Sequence, residues 1–199
     1  MGFQEIVELS PQQIMNSDPM RKELWERAVK RTLDHHAQSI GGESYVLLRS
    51  GQLVGAALCI FVKSSVLASV RNVEGSVKKT GMSGMAGNKG AVAIRLDYVN
   101  TPICFVTAHL AAGFANYEER NRDYATIHHG LRFQRNRSID DHGKAPSTSR
   151  RDEGSPPANV IGGFRFRVLV WRLQLPNWLG SRSSQRICQD ARPREALSK

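Results

Sequence analysis

The chain has 199 residues, of which 40% are hydrophobic and 23% are charged, and this is enough for one domain with a buried core. It contains no run of about 18 uncharged apolar residues, which excludes a membrane-spanning helix, and its first residues lack the features of a secretory signal. The odd number of cysteines (Cys59, Cys104 and Cys188) predicts reduced thiols in a cytoplasmic protein rather than a disulfide framework.

The net charge of +10 is distributed unevenly along the chain. Residues 1–142 contain 17 Lys and Arg against 14 Asp and Glu, whereas residues 143–199 contain 11 against 4. A basic excess on one surface is typical of nucleic-acid-binding proteins, but here most of it belongs to the tail. The charge therefore predicts no nucleic-acid partner for the first 142 residues.

The predicted elements begin with helices and continue with strands. One helix starts at Ser10-Pro11, and a second follows Asp18-Pro19 with apolar residues at helical spacing. A third helix is predicted at Tyr117–His129. Between the second and third helices, segments rich in Val, Ile and aromatic residues predict strands at Tyr45–Leu48, Leu53–Val62, Val66–Val70, Gly90–Tyr98 and Ile103–His109. Helices next to a run of adjacent strands predict a layered α/β sandwich.

The composition changes after His142. Residues 143–165 are rich in Gly, Ser, Pro and Arg without periodicity, which predicts a low-complexity insert. Residues 166–199 contain apolar clusters among arginines that match neither the helical nor the strand pattern, and we expect a non-native or disordered basic tail. The sequence is thus divided into a domain of residues 1–142, the insert and the tail.

Three features of the first 142 residues are candidates for a role in binding or catalysis. Glu5 lies where a strand end is expected, although most glutamates are simply solvated. The glycine-rich segment 80–90 contains Asn88 and Lys89, and exposed backbone N–H groups beside a lysine suit a phosphate, although an ordinary hairpin has the same composition. His109 ends an apolar strand, where a histidine is more often part of the core than catalytic. Each feature alone is weak.

Taken together and in order, these segments resemble a known family. The phrases GFQEIVELSPQQIM, TGMSGMAGNKGAVAIR, FVTAHLAAG and YEERNRDY resemble successive blocks of the inositol polyphosphate 5-phosphatase catalytic domain, in its synaptojanin-like form. The resemblance covers roughly residues 2–142. It implies an incomplete deoxyribonuclease I-like four-layer α/β sandwich and a Mg²⁺-dependent phosphomonoesterase.

The resemblance also implies roles for individual residues. Glu5 matches the magnesium ligand of the family, and His109 matches the histidine that contacts the scissile phosphate. Asn88 and Lys89 match the loop that lines the substrate phosphates. These residue types suit the chemistry, because Mg²⁺ takes oxygen ligands and cationic groups stabilise charge on phosphoryl oxygens.

Further along the chain, Arg120, Asn121 and Tyr124 match a block near the substrate entrance of the family. Other parts of the family pattern are missing from the sequence. The Gly-Asp-Phe-Asn-Tyr-Arg motif that supplies the general base, the C-terminal Ser-Asp-His motif and an Asn before Gly2 do not occur. Since the loss of one member of a catalytic unit removes most of the rate, we expect impaired activity.

The genetic code offers a hypothesis for the missing general-base motif. Codons for Trp171–Leu179 read one base later admit Gly-Asp-Phe-Asn-Tyr-Arg-Ile-Gly, and the same shift at Arg192–Leu197 admits a sequence like the family's next block. Gly143-Lys144 and Phe164-Arg165 can be encoded with splice donor and acceptor sequences. We therefore hypothesise that residues 143–165 translate a retained intron and that the tail is frame-shifted. The cDNA sequence from Asp140 to Trp178 tests this.

The sequence predicts a phosphoinositide or inositol polyphosphate 5-phosphatase acting on a lipid headgroup or a soluble inositol polyphosphate. Such a protein would be cytoplasmic, peripheral at membrane surfaces and without a nucleic-acid partner. The alternatives are a non-catalytic remnant, which either binds anionic lipid or does not fold, and a nuclease of the same superfamily. The Gly-Asn-Lys-Gly segment disfavours the nuclease.

Overall fold

The computed structural model describes residues 1–7, 18–81, 86–133 and 166–171 of the chain. The elements found in these ranges are β1 (Gly2–Phe3), α1 (Met20–Ser39), β2 (Tyr45–Leu53), β3 (Ala56–Lys63), a 3-10 helix (Ser64–Ser69), β4 (Val70–Gly81), β5 (Ala86–Tyr98), β6 (Thr101–His109), α2 (Tyr117–Gly130) and β7 (Phe166–Trp171). Neither helix in the described ranges is long and apolar enough to cross a membrane.

The strands form two sheets. The first has the order β1-β3-β2 and the second has the order β4-β5-β6-β7. All neighbouring strands are antiparallel except β6 and β7, which are parallel. Together with α1 on the first sheet and α2 on the second, the order of layers is helix, sheet, sheet, helix. The predicted four-layer α/β sandwich is confirmed.

Strand β5 shows how the sequence produces these layers, because its alternate side chains point to opposite faces of the sheet. Val92, Ile94 and Leu96 are buried in the core that the two sheets share, together with Leu53, Leu58 and Ile60 of the first sheet. Ala91 and Ala93 face the other way and join the second core, which also contains Ile127 and Leu131. Small side chains on the helix-facing side allow α2 to pack closely on the strand.

Helix α1 begins where the sequence predicts, immediately after Asp18-Pro19. The Asp18 carboxylate accepts a hydrogen bond of 2.9 Å from the Met20 backbone N–H, which satisfies one of the unpaired donors of the first turn. On the inner side of α1, Trp25 packs on Phe3 of β1 with ring centroids 5.1 Å apart. The helix is therefore anchored beside the strand that leads to Glu5.

Two strand predictions were wrong. The segment Val66–Val70 belongs mainly to the 3-10 helix Ser64–Ser69, and the strand begins only at Val70. The segment Leu53–Val62 is not continuous, because Val54 takes a left-handed φ of 46° and β3 begins at Ala56. Strand β4 was missed altogether. The helix predicted from Ser10-Pro11 lies outside the described residues.

The region of the tail contains one described element, β7. Its residues Phe166–Trp171 pair in parallel with β6, from Ile103↔Phe166 to Ala108↔Trp171. The sequence predicts no regular element at this place, although five of these six residues are apolar or aromatic and the sixth is an arginine. Residues 143–165 and 172–199 lie outside the described residues, so the structure does not test the insert or the frame-shift hypothesis.

The cysteines agree with the prediction of reduced thiols where they are described. Cys59 and Cys104 are completely buried and form no disulfide. They lie in different sheets, since Cys59 belongs to β3 and Cys104 to β6. Cys188 lies outside the described residues.

Candidate active site

The candidate site lies at one end of β5 and β6, where His109 ends its strand opposite Gly90. His109 is almost completely buried, with 2% of its surface exposed. Gly90 has a φ of 144°, and a Cβ at this position would overlap the Lys78 carbonyl oxygen. Only glycine fits there, which explains why the Lys89–Gly90 pair approaches β4 and β6 so closely.

Lys89 contacts His109 directly, with 3.0 Å between the ammonium nitrogen and Nε2 of the imidazole. Burial lowers the pKa of His109 to about 4, with the Lys89 charge adding to the shift and Glu5 opposing it. The ring is therefore neutral at pH 7. When Lys89 is protonated it can only donate, and this hydrogen bond then requires Nε2 as the acceptor and the ring proton on Nδ1.

Burial also lowers the pKa of Lys89, but three carboxylates oppose that shift. In order of their effect these are Glu5, Asp123 and Glu119, which come from the end of β1 and from α2. A half-buried ammonium group with two further N–H donors is a suitable partner for a phosphate dianion.

Glu5 lies beside His109, with 3.9 Å between its Oε1 and the imidazole Nε2. Gln4 ties this segment to β6, because its side-chain amide donates a hydrogen bond of 2.5 Å to the Ala108 carbonyl. Glu5 has a left-handed φ of 58°, an uncommon conformation for a residue other than glycine. The Glu5 side chain is 39% exposed, so its carboxylate is accessible from solvent.

Asn88 lies next to Lys89 on β5 and is half-buried. Its side-chain oxygen is buried and has no hydrogen-bond partner among the described residues. A buried acceptor without a partner is costly, so this atom is suited to a donor such as a ligand hydroxyl. Three predicted site residues (Glu5, Lys89 and His109) thus lie together, and Asn88 precedes Lys89 in β5.

The three residues predicted near the substrate entrance lie on α2 in different environments. Arg120 hydrogen-bonds to backbone carbonyls of the loop that follows His109, namely those of Ala111, Gly113 and Phe114. Asn121 is exposed. Tyr124 is 42% exposed and stacks on His128, with ring centroids 5.8 Å apart.

Sequence reasoning missed Asp123. This aspartate is only 8% exposed, and its carboxylate accepts a hydrogen bond of 2.9 Å from the Ala111 backbone N–H. Its position three residues after Arg120 and four before the buried Ile127 places it on the inner face of α2. That spacing was the available signal, because a charged residue on the apolar side of a helix needs a specific partner.

The comparisons with known proteins agree with this geometry. Residues 1–147 match the family model described as endonuclease/exonuclease/phosphatase family 2, which is most of the chain. The chain belongs to this family. Its members are generally metal-dependent. Among the described residues, no group of three or more His, Cys, Asp or Glu side chains is arranged to hold a metal ion.

The chain is also similar to individual members of the family. The chain is 60% identical over 142 residues to the inositol-1,4,5-trisphosphate 5-phosphatase 1 of Schizosaccharomyces pombe, covering 71% of this chain and 13% of that protein. It is 39% identical over 170 residues to the phosphatidylinositol 4,5-bisphosphate 5-phosphatase INP51 of Saccharomyces cerevisiae, covering 85% and 16%. It is 38% identical over 142 residues to human synaptojanin-1, covering 71% and 9%. The chain therefore spans a small part of each of these relatives.

One solved structure supports the fold and the family together. The inositol polyphosphate 5-phosphatase domain of SPsynaptojanin, in complex with inositol (1,4)-bisphosphate and calcium ion, matches with a TM-score of 0.59 and 57% sequence identity. The match covers 70% of this chain and 38% of that domain. The predicted resemblance to synaptojanin-like 5-phosphatases is confirmed, and the relatives are phosphoric monoester hydrolases.

Proposed function

We propose that this chain carries the phosphate-binding part of a Mg²⁺-dependent 5-phosphatase site for phosphatidylinositol 4,5-bisphosphate or its soluble headgroup. The observation that supports the proposal best is the cluster of Glu5, Lys89 and His109, in which a carboxylate, an ammonium group and a neutral imidazole meet at the end of β6. The bound inositol (1,4)-bisphosphate in the solved relative supports an inositol phosphate as the ligand.

The roles of the residues follow from their chemistry. Lys89 donates to His109 through one N–H and has two more with which to bind phosphate oxygens. To His109, which is neutral and belongs to β6, we assign a contact with the same phosphate. The Asn88 side-chain oxygen, which has no hydrogen-bond partner in the part of the chain that the structure describes, is assigned to an inositol hydroxyl. These donors and acceptors are fixed by strands, so the phosphate meets a preorganised site.

Glu5 is the residue that we propose as the magnesium ligand. Its accessible carboxylate is a hard oxygen donor, and Mg²⁺ commonly uses one or two carboxylates together with water and substrate phosphates. The residues present therefore fit this ion without a cage of protein ligands. When bound, Mg²⁺ neutralises charge on the phosphoryl oxygens. The protein's own part is to hold Glu5 beside His109 through the bond from Gln4 to Ala108.

A second candidate is binding without turnover. The 199 residues contain neither the Gly-Asp-Phe-Asn-Tyr-Arg nor the Ser-Asp-His motif that the resemblance leads us to expect. Of the three described carboxylates that act on Lys89, Asp123 is engaged with the Ala111 backbone N–H, Glu5 is assigned to the metal, and Glu119 is exposed on α2. We therefore propose that turnover by this chain is impaired relative to that of its relatives.

We further propose that the protein is cytoplasmic, acts at membrane surfaces as a peripheral protein and does not bind nucleic acid. The nearly balanced charge of residues 1–142, with 17 basic and 14 acidic residues, supports the last point. A duplex-DNA competition measurement separates this proposal from the nuclease alternative, because a nuclease-like groove would let DNA displace the inositol phosphate.

The test is phosphate release from inositol (1,4,5)-trisphosphate and from vesicles containing phosphatidylinositol 4,5-bisphosphate, with Mg²⁺ and with the chelator EDTA. We expect slow, Mg²⁺-dependent release that falls by at least about 100-fold in His109→Asn. His129→Asn is the matched control, since His129 is an exposed histidine on α2. Tight headgroup binding without release supports the non-catalytic candidate. An absence of both overturns the proposal.

A further inference from the structure

The loop that follows His109 is held from both sides by two residues of α2. Asp123 accepts the Ala111 backbone N–H at 2.9 Å in a buried position. Arg120 donates to carbonyls on the same loop, with distances of 3.5 Å to Ala111 and 3.2 Å to Phe114 and a further bond to Gly113. The backbone of Ala111 is thus bound twice: its N–H donates to the Asp123 carboxylate, and its carbonyl accepts from the Arg120 guanidinium.

This arrangement depends on the spacing of the two residues along α2. Residues three apart lie on the same side of a helix, so Arg120 and Asp123 both face the loop. The loop itself needs Gly113, whose φ of 98° disfavours other residues. Asn116, just before α2, adds a hydrogen bond of 2.6 Å from its side-chain amide to the Ala112 carbonyl. The loop is therefore bound at consecutive residues.

The loop is directly connected to the proposed phosphate site. Ala111 is two residues after His109, and β6 ends at His109 itself, so no strand pairing holds the chain beyond this point. The loop continues directly from His109, the last residue of β6 to pair with β5, and the imidazole lies only 3.0 Å from the Lys89 ammonium nitrogen. The charge of Asp123 also acts on Lys89, together with those of Glu5 and Glu119.

We propose that Arg120 and Asp123 are positioning residues that fix the loop after His109 and so hold the imidazole in register with Lys89. This changes the role expected for Arg120, which would act on the protein backbone rather than on the substrate. The inference rests on the proposed phosphate site for its functional consequence. The hydrogen bonds of Arg120 and Asp123 with this loop, which we call the clamp, are independent of that function.

The experiment compares five variants of the full chain with the wild type. Asp123→Ala removes the acceptor, whereas Asp123→Asn keeps an oxygen at the same place. Arg120→Ala removes the donors, whereas Arg120→Lys keeps the charge but loses the fork that reaches several carbonyls. Arg122→Ala removes an exposed arginine of the same helix and is the matched control. The readouts are the NMR signals of the His109 ring, hydrogen exchange at the Ala111 amide, and affinity for inositol (1,4)-bisphosphate with Ca²⁺.

We expect Asp123→Ala to speed hydrogen exchange at the Ala111 amide and to shift the NMR signals of the His109 ring. The affinity for inositol (1,4)-bisphosphate should fall about tenfold. Asp123→Asn should restore most of each readout. Arg120→Lys should behave like Arg120→Ala, and Arg122→Ala like the wild type. Because the Asn and Lys variants keep the size or charge of the side chain, they test the clamp even if an alanine variant unfolds.

Two results would overturn the clamp. One is an unchanged His109 ring signal and unchanged Ala111 exchange in Asp123→Ala. The other is full bisphosphate affinity in Arg120→Lys together with a loss in Arg120→Ala, which would make Arg120 a charged contact to the substrate. If the wild type binds no bisphosphate, the proposed function fails, and the ring signals and amide exchange still decide the clamp.

Discussion

The contact between Lys89 and His109 illustrates how burial controls chemistry at the scale of single residues. Burial disfavours the charged form of both groups and lowers both pKa values, to about 4 in the case of His109. Three carboxylates favour the protonated form of Lys89. The histidine ring is therefore neutral at pH 7, whereas these carboxylates oppose the loss of the lysine's charge.

Part of this site could be predicted from the sequence, and part could not. Glu5, Asn88, Lys89 and His109 were predicted as site residues through the resemblance of short blocks to a family. Their distances depend on the pairing of strands that are far apart in the chain, which no local pattern specifies. The hydrogen bond between Asp123 and the Ala111 backbone was not predictable either. Almost every residue type has a backbone N–H, so the identity of residue 111 does not indicate such a partner.

The thiol of Cys59 provides a prediction about pH. Burial, with a smaller effect from Glu26, raises the pKa of this thiol to about 11 from an ordinary value of 9.0. Because the thiolate is the reactive form, native Cys59 should resist alkylation at pH 8.5, whereas the urea-unfolded chain should react. The folded state keeps its proton to higher pH than the unfolded state, so this group reduces stability as pH rises from about 9 towards 11.

The measurement for Cys59 is iodoacetamide labelling followed by mass spectrometry of the peptide that contains it. Unfolding in urea at pH 8.5 and pH 10.5, for wild type and Cys59→Ala, gives the second readout. The variant should lose less of its unfolding free energy between these pH values than the wild type. Rapid labelling of native Cys59 at pH 8.5 would show that its burial has been misjudged.

At the scale of elements, helices were easier to predict than strands. Helices α1 and α2 follow clear helical spacing and, for α1, a Pro19 start signal. Strand β4 was missed because it lies at the end of its sheet and contains many polar residues, so it lacks a continuous apolar run. The same difficulty applied to β7, where arginine interrupts the apolar residues.

The pairing of β4 with β5 requires a glycine at position 90. In Gly90→Ala the new Cβ would overlap the Lys78 carbonyl oxygen, so the strands would have to separate. We expect a loss of roughly 3 kcal/mol in unfolding free energy, measured in urea. Gly41→Ala is the control, because Gly41 also has a positive φ, of 62°, but nothing lies within 4 Å of the added Cβ. Its loss should be about 1 kcal/mol.

The core between the two sheets gives a matched pair of valines. Val77 and Val92 are opposite each other on β4 and β5, but Val77 is 47% exposed and Val92 is 1% exposed. Val92→Ala should reduce the unfolding free energy by about 2 kcal/mol, through lost burial and a cavity. Val77→Ala should cost less than about 0.5 kcal/mol. Equal losses would contradict the arrangement of the two sheets.

At the scale of the whole molecule, the layered fold was predictable because its cause is general. Apolar faces of two sheets must cover each other, and helices cover the outer faces, whatever the details of register. The location of the basic charge is also informative, because composition alone distinguishes the tail from the domain. What remained unpredictable was how distant segments meet, and the site is made of three of them: the end of β1, the start of β5 and the end of β6.

The central claim is that these segments form one binding site for an inositol phosphate and a divalent cation. The most direct measurement is a calorimetric titration of the full chain with inositol (1,4)-bisphosphate, with and without Mg²⁺. We predict one Mg²⁺-dependent site, weakened at least about tenfold in Lys89→Gln and unchanged in Lys79→Gln, an exposed lysine of β4. No binding by the wild type, or equal losses in the two lysine variants, would contradict the account.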